Sequence, residues 1–306
     1  MLRKSTIVAL AGCLIVGGIG LSTAGLVLGG KTSIGFDGSG IRINGITNNI
    51  GEGASATSAS EALQAFSKID IDVDTIAIDI VVGNAYSIDV AVDSDVKISY
   101  GVENDRLFIT QSVPNSFFNF NVDFFNDGTE GNIIVTIPGD VKLESTEIDF
   151  GVGTGNIKGI KTEELKMTIG VATTKIEDVV ADEATISGGV GLLKIDGLTS
   201  DYAEIYGDVG AVEIKNLVTN KAKLESGVGI FKANDVVSRG IDVTAGVGSI
   251  SLQGDVQGDI SVEGGVGTVT LDLDGAESDY NFDISRGVGS IKINNEIQHG
   301  LEDVKI

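Results

Sequence analysis

The stretch Leu224-Glu-Ser-Gly-Val-Gly-Ile-Phe-Lys-Ala-Asn-Asp-Val-Val-Ser-Arg-Gly-Ile-Asp242 decides the fold, because its Gly-Val-Gly centre recurs at one fixed period from Ile148 onward. The central valines are Val152, Val171, Val190, Val209, Val228, Val247 and Val266, evenly spaced, and Val288 follows after a three-residue insertion. A fixed period of this length marks stacked repeats, in which one unit cannot bury its apolar row alone and its neighbours complete the core. With Ile148 as position one, that position reads Ile148, Met167, Ile186, Ile205, Leu224, Val243, Val262 and Ile284. Position two is mostly polar: Asp149, Thr168, Ser187, Tyr206, Glu225, Thr244, Glu263 and Ser285. Such alternation places successive side chains on opposite faces of a strand. The valine at position five is expected to continue the inward row. Positions eight and ten, as in Val212 and Ile214 or Ile250 and Leu252, form a second alternation. Each unit is therefore predicted to hold two short strands.

Turn chemistry agrees with this. Positions four and six are almost always glycine, and position twelve carries Gly159, Asp178, Gly197, Asn216, Asp235 and Gly254. These residue types tolerate tight corners and positive φ. Before the clear repeats, Ile69, Val73, Ile76 and Ile78 reproduce the spacing of positions one, five, eight and ten without the glycines. Alternating runs at Tyr86–Val92, Val96–Tyr100, Leu107–Thr110 and Ile133–Ile137 follow. The expected fold is all-β: a single-chain β-solenoid of 19-residue coils, β-helix-like, preceded by an N-terminal transmembrane helix. Residues 1–30 are expected to form a cytoplasmic stub and the span, and residues 31–68 a flexible spacer in which Ser58–Phe66 is either a short capped helix or disordered. Residues 69–137 read as irregular coils with a Phe-rich loop at 114–128, residues 138–297 as the regular solenoid, and residues 298–306 as a polar tail or cap.

The span is expected because Ile7 to Gly30 carries no charge over 24 residues, more than the roughly 20 that cross a bilayer as a helix. Arg3 and Lys4 precede it, so the positive-inside rule puts the N-terminus in the cytoplasm and the body outside the cell membrane, in a single pass. A cleaved signal peptide and lipidation at Cys13 are the rival readings. The 44 acidic and 21 basic residues give a formal charge of −23, which argues against nucleic acid and against anionic lipid as partners of the body. Cys13 is the only cysteine, so the body holds no disulfide.

No catalytic, cofactor or metal residues emerge. His299 is the only histidine and sits in a polar tail, which excludes a histidine triad or a multi-histidine metal site. Outward carboxylates such as Asp70, Asp72 and Asp74 lack the long loops that would build a glycosidase groove around them. Gly264-Gly-Val-Gly-Thr-Val-Thr-Leu-Asp272 has Val269 where a calcium-binding β-roll needs Asp. The remaining unusual feature is the cluster Phe117, Phe118, Phe120, Phe124 and Phe125. It reads either as a hairpin folded over the solenoid or as an exposed loop that touches a partner or membrane. Replacing Phe117, Phe118, Phe124 and Phe125 with Ser separates the two: lost thermal stability identifies the hairpin, and intact stability with lost partner binding identifies the loop.

An apolar N-terminal segment, the opening Phe66-Ser-Lys-Ile-Asp-Ile-Asp-Val73, the run Ile134-Val-Thr-Ile-Pro138-Gly-Asp-Val141 and then Gly-Val-Gly coils together resemble the bacterial putative-adhesin family of β-strand-repeat proteins of unknown function, of the Gram-positive type. The resemblance covers residues 66 to about 297 and implies a surface-displayed β-solenoid without established catalytic residues. Two functions are consistent with it. One is a non-catalytic, adhesin-like module that binds a cell-wall polymer or surface protein. The other is a cell-envelope stress sensor acting through a partner membrane signalling protein.

Overall fold

The computed structural model describes residues 33–37, 40–44, 57–92, 96–112, 120–122, 131–274, 280–285, 287–294, 296–297 and 304–305. These residues are all-β, and no helix among them is long and apolar enough to cross a membrane. The expected span, Cys13, His299, Phe117, Phe118, Phe124 and Phe125 lie outside the described residues, as does most of the tail. The chain divides into two units, Met1–Gly53 with Pro114–Gly128, and Ala54–Val113 with Thr129–Ile306.

In the first unit β1 (Ser33–Asp37), β2 (Gly40–Asn44) and β9 (Phe120–Val122) pair antiparallel in the order β2-β1-β9, with the Phe120 backbone opposite Phe36. The second unit opens with β3 (Thr57–Ala62), β4 (Lys68–Val73), β5 (Ala77–Gly83), β6 (Ser87–Val92), β7 (Lys97–Glu103) and β8 (Arg106–Ser112). It continues with β10 (Gly131–Pro138), β11 (Lys142–Lys158), β12 (Lys161–Glu263), β13 (Val266–Leu273), β14 (Tyr280–Ser285), β15 (Val288–Ile293), β16 (Glu296–Ile297) and β17 (Val304–Lys305). Residues 31–68 are thus not a bare spacer, since they supply β1, β2 and β3. The capped helix considered for Ser58–Phe66 is instead β3, paired antiparallel with β6 so that Ala59 faces Val90. A helix this short pays its nucleation cost for few bonds, whereas β3 satisfies a whole row of edge groups on β6.

Run straight, the 103 residues of β12 would reach about 340 Å at 3.3 Å per residue, so the strand must wind. Its winding is visible in the pairing. β11 lies parallel to β12 with Ile148 beside Met167, Val152 beside Val171 and Ile157 beside Ile176, an offset of one full repeat. β12 and β13 keep that offset, with Val247 beside Val266, and β13 and β15 pair Val266 with Val288 across the insertion. Parallel pairing makes every coil present the same position to its neighbour above and below. At the other end β4 pairs with β11, setting Ile71 beside Ile148, while β5 sets Ile78 beside Gly155 and Ile80 beside Ile157. Ile71, and not Ile69, therefore stands at position one. The two-residue slip preserves the inward parity of every isoleucine, which is why spacing alone did not detect it. The stack ends in antiparallel pairings: β10, parallel to β5, runs antiparallel to β6; β8, parallel to β4, forms a hairpin with β7; and β16 and β17 pair antiparallel with β15 and β14.

The position-five valines do not point inward. Val190, Val247, Val266 and Val288 are 40%, 50%, 51% and 74% exposed, and Val152, Val171, Val209 and Val228 are half-buried. Positions three and eight both face the core, as Phe150, Ser226, Thr174, Leu193 and Phe231 show. Five steps separate them, an odd number that strict alternation cannot span. The Gly-Val-Gly corner resets the phase and turns its valine out. The core also holds two rows that the period reading omitted: Ile160, Val179, Leu198, Leu217 and Val236 at position thirteen, and Leu165, Ala184, Ala203, Ala222 and Ile241 at position eighteen. Each coil therefore has three inward sides instead of two strands.

Each corner has its own chemistry. Asp178, Asn216 and Asp235 at position twelve have φ of 52°, 53° and 56°, the left-handed region that Asn and Asp tolerate. The third corner turns on buried hydroxyls at position fifteen, where Thr162, Thr219 and Ser238 donate to the carbonyls of Glu164, Lys221 and Gly240 at 2.8, 3.0 and 2.7 Å. At the Gly-Val-Gly corner a Cβ on Gly229, whose φ is 143°, would fall on the Gly210 carbonyl oxygen of the preceding coil. At Gly240 the nearest atom to a new Cβ is the Asp259 oxygen at 3.6 Å, an ordinary contact. Gly229→Ala is therefore expected to lower unfolding free energy by about 3 kcal/mol. Gly240→Ala is expected to change it by less than about 1 kcal/mol. Chemical denaturation of both variants checks the contrast.

Candidate interaction surfaces

The three sides give three outward surfaces. Positions seventeen, nineteen and two form the first, positions seven, nine and eleven the second, and positions fourteen and sixteen the third. On the second, Lys175, Lys194, Lys232 and Lys292 share position nine with Glu213, and Lys194 pairs with Glu213 at 3.3 Å across one coil step. The first is acidic at its start. Asp72 lies beside Asp149, whose carboxyl is pushed above its ordinary value by burial and then by Asp72, Asp74 and Glu147. Cross-coil ion pairs stud this surface, Arg106 with Asp70 at 2.9 Å, Lys166 with Glu147 at 2.5 Å and Lys221 with Asp242 at 3.0 Å. All are solvent-exposed, so each is worth well under about 1 kcal/mol.

Midway along the first surface, Tyr202, Glu204 and Tyr206 follow one another at alternate positions of the same strand, so period two turns all three outward. Tyr202 donates its hydroxyl to Glu204 Oε1 at 2.6 Å and Tyr206 donates to Glu204 Oε2 at 2.7 Å. Lys223 stands one coil beyond Glu204. Its Nζ donates to the Tyr206 hydroxyl at 3.1 Å and lies 5.0 Å from the centre of the Tyr206 ring. The two phenol donors hold the Glu204 carboxyl below its ordinary value, Tyr202 foremost. In return the Glu204 hydrogen bond, then burial, push the Tyr202 phenol up to about 12. Tyr206 is raised for the same first cause, and Lys223 is raised by its bond to Tyr206. The result is a fixed carboxylate between two half-buried aromatic rings with a cation at one edge.

Sequence reading did not single out these four residues. The signal was present, in aromatic, acidic and aromatic residues of one parity and a lysine one repeat after the acid, but no motif rule scores it. The position-five valines form an outward apolar line about 34 Å long at the inter-strand spacing, half-buried at Val152, Val171, Val209 and Val228 and exposed at Val190, Val247, Val266 and Val288. Beside them Leu192, Ala211 and Ile230 border a crevice of about 20 Å³, room for a single water. A wider depression of about 390 Å³ is lined by Lys68, Glu103, Asn104, Arg106 and Phe108, whose cations are engaged by Glu144 and Asp70. Among the described residues no three His, Cys, Asp or Glu side chains are placed to hold a metal ion. Of the expected interaction loop, the described part is the Phe120 backbone in β9.

The Toastrack DUF4097 family model matches residues 66–304. The chain belongs to the Toastrack DUF4097 family. Its fold is also that of solved proteins described as putative adhesins. One from Bacteroides fragilis is 21% identical with a TM-score of 0.50, covering 78% of this chain and 97% of the other. Another, from Parabacteroides merdae, is 14% identical with a TM-score of 0.55, covering 79% and 97%. The putative-adhesin resemblance read from the sequence thus holds as to family, and the organisms of these relatives do not carry its Gram-positive ascription. No match occurs among curated proteins.

The pH dependence follows from the two shifts. Glu204 is depressed, so its contribution to stability is present at neutral pH and is lost as pH falls through its lowered value. Tyr202 is raised, so its contribution is complete below its unfolded value near 10 and is lost as pH climbs through about 12. Tyr202→Phe is expected to shrink the alkaline loss and to move the Glu204 titration upward. Carboxyl-carbon NMR titration with denaturation at pH 7 and 11 checks both.

Proposed function

We propose that this Toastrack protein is a non-catalytic, adhesin-like surface module held at the cell membrane by the apolar segment Ile7–Gly30, with the coil stack outside. The observation that supports it is the division of labour within each coil. Core and corner positions repeat from coil to coil, whereas the outward positions vary and carry the polar, charged and aromatic groups that a partner can read. A stiff stack with shallow relief suits a long or repetitive partner better than a small molecule, which takes a deep concave pocket. Many weak contacts along such a partner add through effective concentration. A wall polymer or another surface protein fits this description. The sensor reading draws on the apolar segment alone.

The test uses the full chain in intact cells. It is expected to fractionate with membranes, to be cleaved by protease added outside, and to capture wall polymer or a surface protein on cross-linking. Resistance to external protease, or recovery of a membrane kinase or permease in place of surface material, would overturn the adhesin reading.

A further inference from the structure

We propose that the Tyr202–Glu204–Tyr206–Lys223 cluster is a carbohydrate-binding platform for a neutral or N-acetylated oligosaccharide. This deepens the adhesin-like reading and rests on it. Throughout the regular coils, the other side chains at positions seventeen and two are Ser, Thr, Asn, Asp, Glu, Lys or Gly. Here alone both are tyrosine. Tyr loses little conformational entropy when it orders against a ligand and offers an apolar ring with a polar tip. A sugar ring presents the matching pair, a C–H face for the ring and hydroxyls for the tip.

The polar groups are arranged for those hydroxyls. Glu204 accepts one hydrogen bond on each oxygen, from Tyr202 and from Tyr206, and each carboxylate oxygen keeps a further lone pair. Lys223 keeps donors beyond the one it gives Tyr206. The carboxylate is held in place before any ligand arrives, so less ordering cost falls on binding. On the preceding coil, Thr185 and Ser187 stand beside Glu204 and Tyr206, one repeat earlier. Along the strand the Tyr202 and Tyr206 backbones lie about 13 Å apart, and their hydroxyls converge on the one Glu204 carboxylate, so a sugar seated at that carboxylate meets both phenols.

Charge selects among glycans. Around the platform Glu183, Glu225 and Asp242 stand with Glu204 against Lys221, which pairs with Asp242, and Lys223; this leaves the carboxylates in excess, and the chain carries −23 overall. A polyanionic polymer is repelled at this surface, whereas a neutral one is not.

Titration of the full chain with chitotetraose, cellotetraose and maltotetraose, followed by NMR of labelled tyrosine, tests the assignment, with oligogalacturonate as the anionic control. At least one neutral oligosaccharide is expected to shift the Tyr202 and Tyr206 resonances, and the anionic control to shift neither. Tyr206→Ala is expected to weaken binding about tenfold. Tyr206→Phe, which keeps the ring, is expected to lose less and to melt at a temperature close to the parent. Absence of shifts with every neutral oligosaccharide overturns the platform, as does binding unchanged in a Tyr202→Ala, Tyr206→Ala double variant. Whole-cell binding by the same double variant separates the two levels. If the parent binds cells and the double variant binds equally, the platform fails and the adhesin reading stands. If the parent itself binds no cells, the adhesin reading fails.

Discussion

The close passage of one coil's carbonyl oxygens past the next coil's glycines is the contact on which the architecture depends. At most glycines of positions four and six a Cβ would collide with the backbone of the coil before, as at Gly189 above Gly170 and Gly229 above Gly210. Parallel strands stack at a spacing of about 4.8 Å, and corners that follow that spacing leave no room for side chains on their inner edge. Close backbone approach favours glycine there, with Asp208 and Ala172 as the exceptions at positions four and six. The valine between the two glycines is stiff and extended, and it limits the freedom its neighbours would otherwise have.

The rest follows from a stack built on that corner. Inward rows at positions one, three, eight, ten, thirteen and eighteen fill a continuous core, with Phe150 and Phe231 taking up space beside smaller partners such as Gly155. Ends of such a stack expose unpaired edges, and antiparallel elements close them on both sides. The outward positions are released from packing demands. They can hold ion-pair ladders in one coil, lysines in another and an aromatic cluster in a third without disturbing the core.

That release explains why function was harder to read than fold. Tyr202, Glu204, Tyr206 and Lys223 obey no period, since neighbouring coils carry different residues at the same positions. Their meaning comes from geometry: two phenols close on one carboxylate, and a lysine from the next coil completes the set. Of the phenylalanine cluster, the most conspicuous departure in composition, Phe120 lies in β9 of the small three-stranded sheet.

The sequence by itself determined that the chain is built of β-strands, that equivalent positions recur at one fixed period, and that glycine and Asx occupy the corners. These are properties of local stereochemistry and of period, and both are written in residue order. Only the tertiary structure decided that the Gly-Val-Gly valines face outward, that Ile71 stands at position one, that a third inward side exists and that its corner turns on buried hydroxyls. Each of these depends on the phase of alternation across a corner. A change of phase is set by how coils pack on one another, so the spacing of residues along one coil does not contain it.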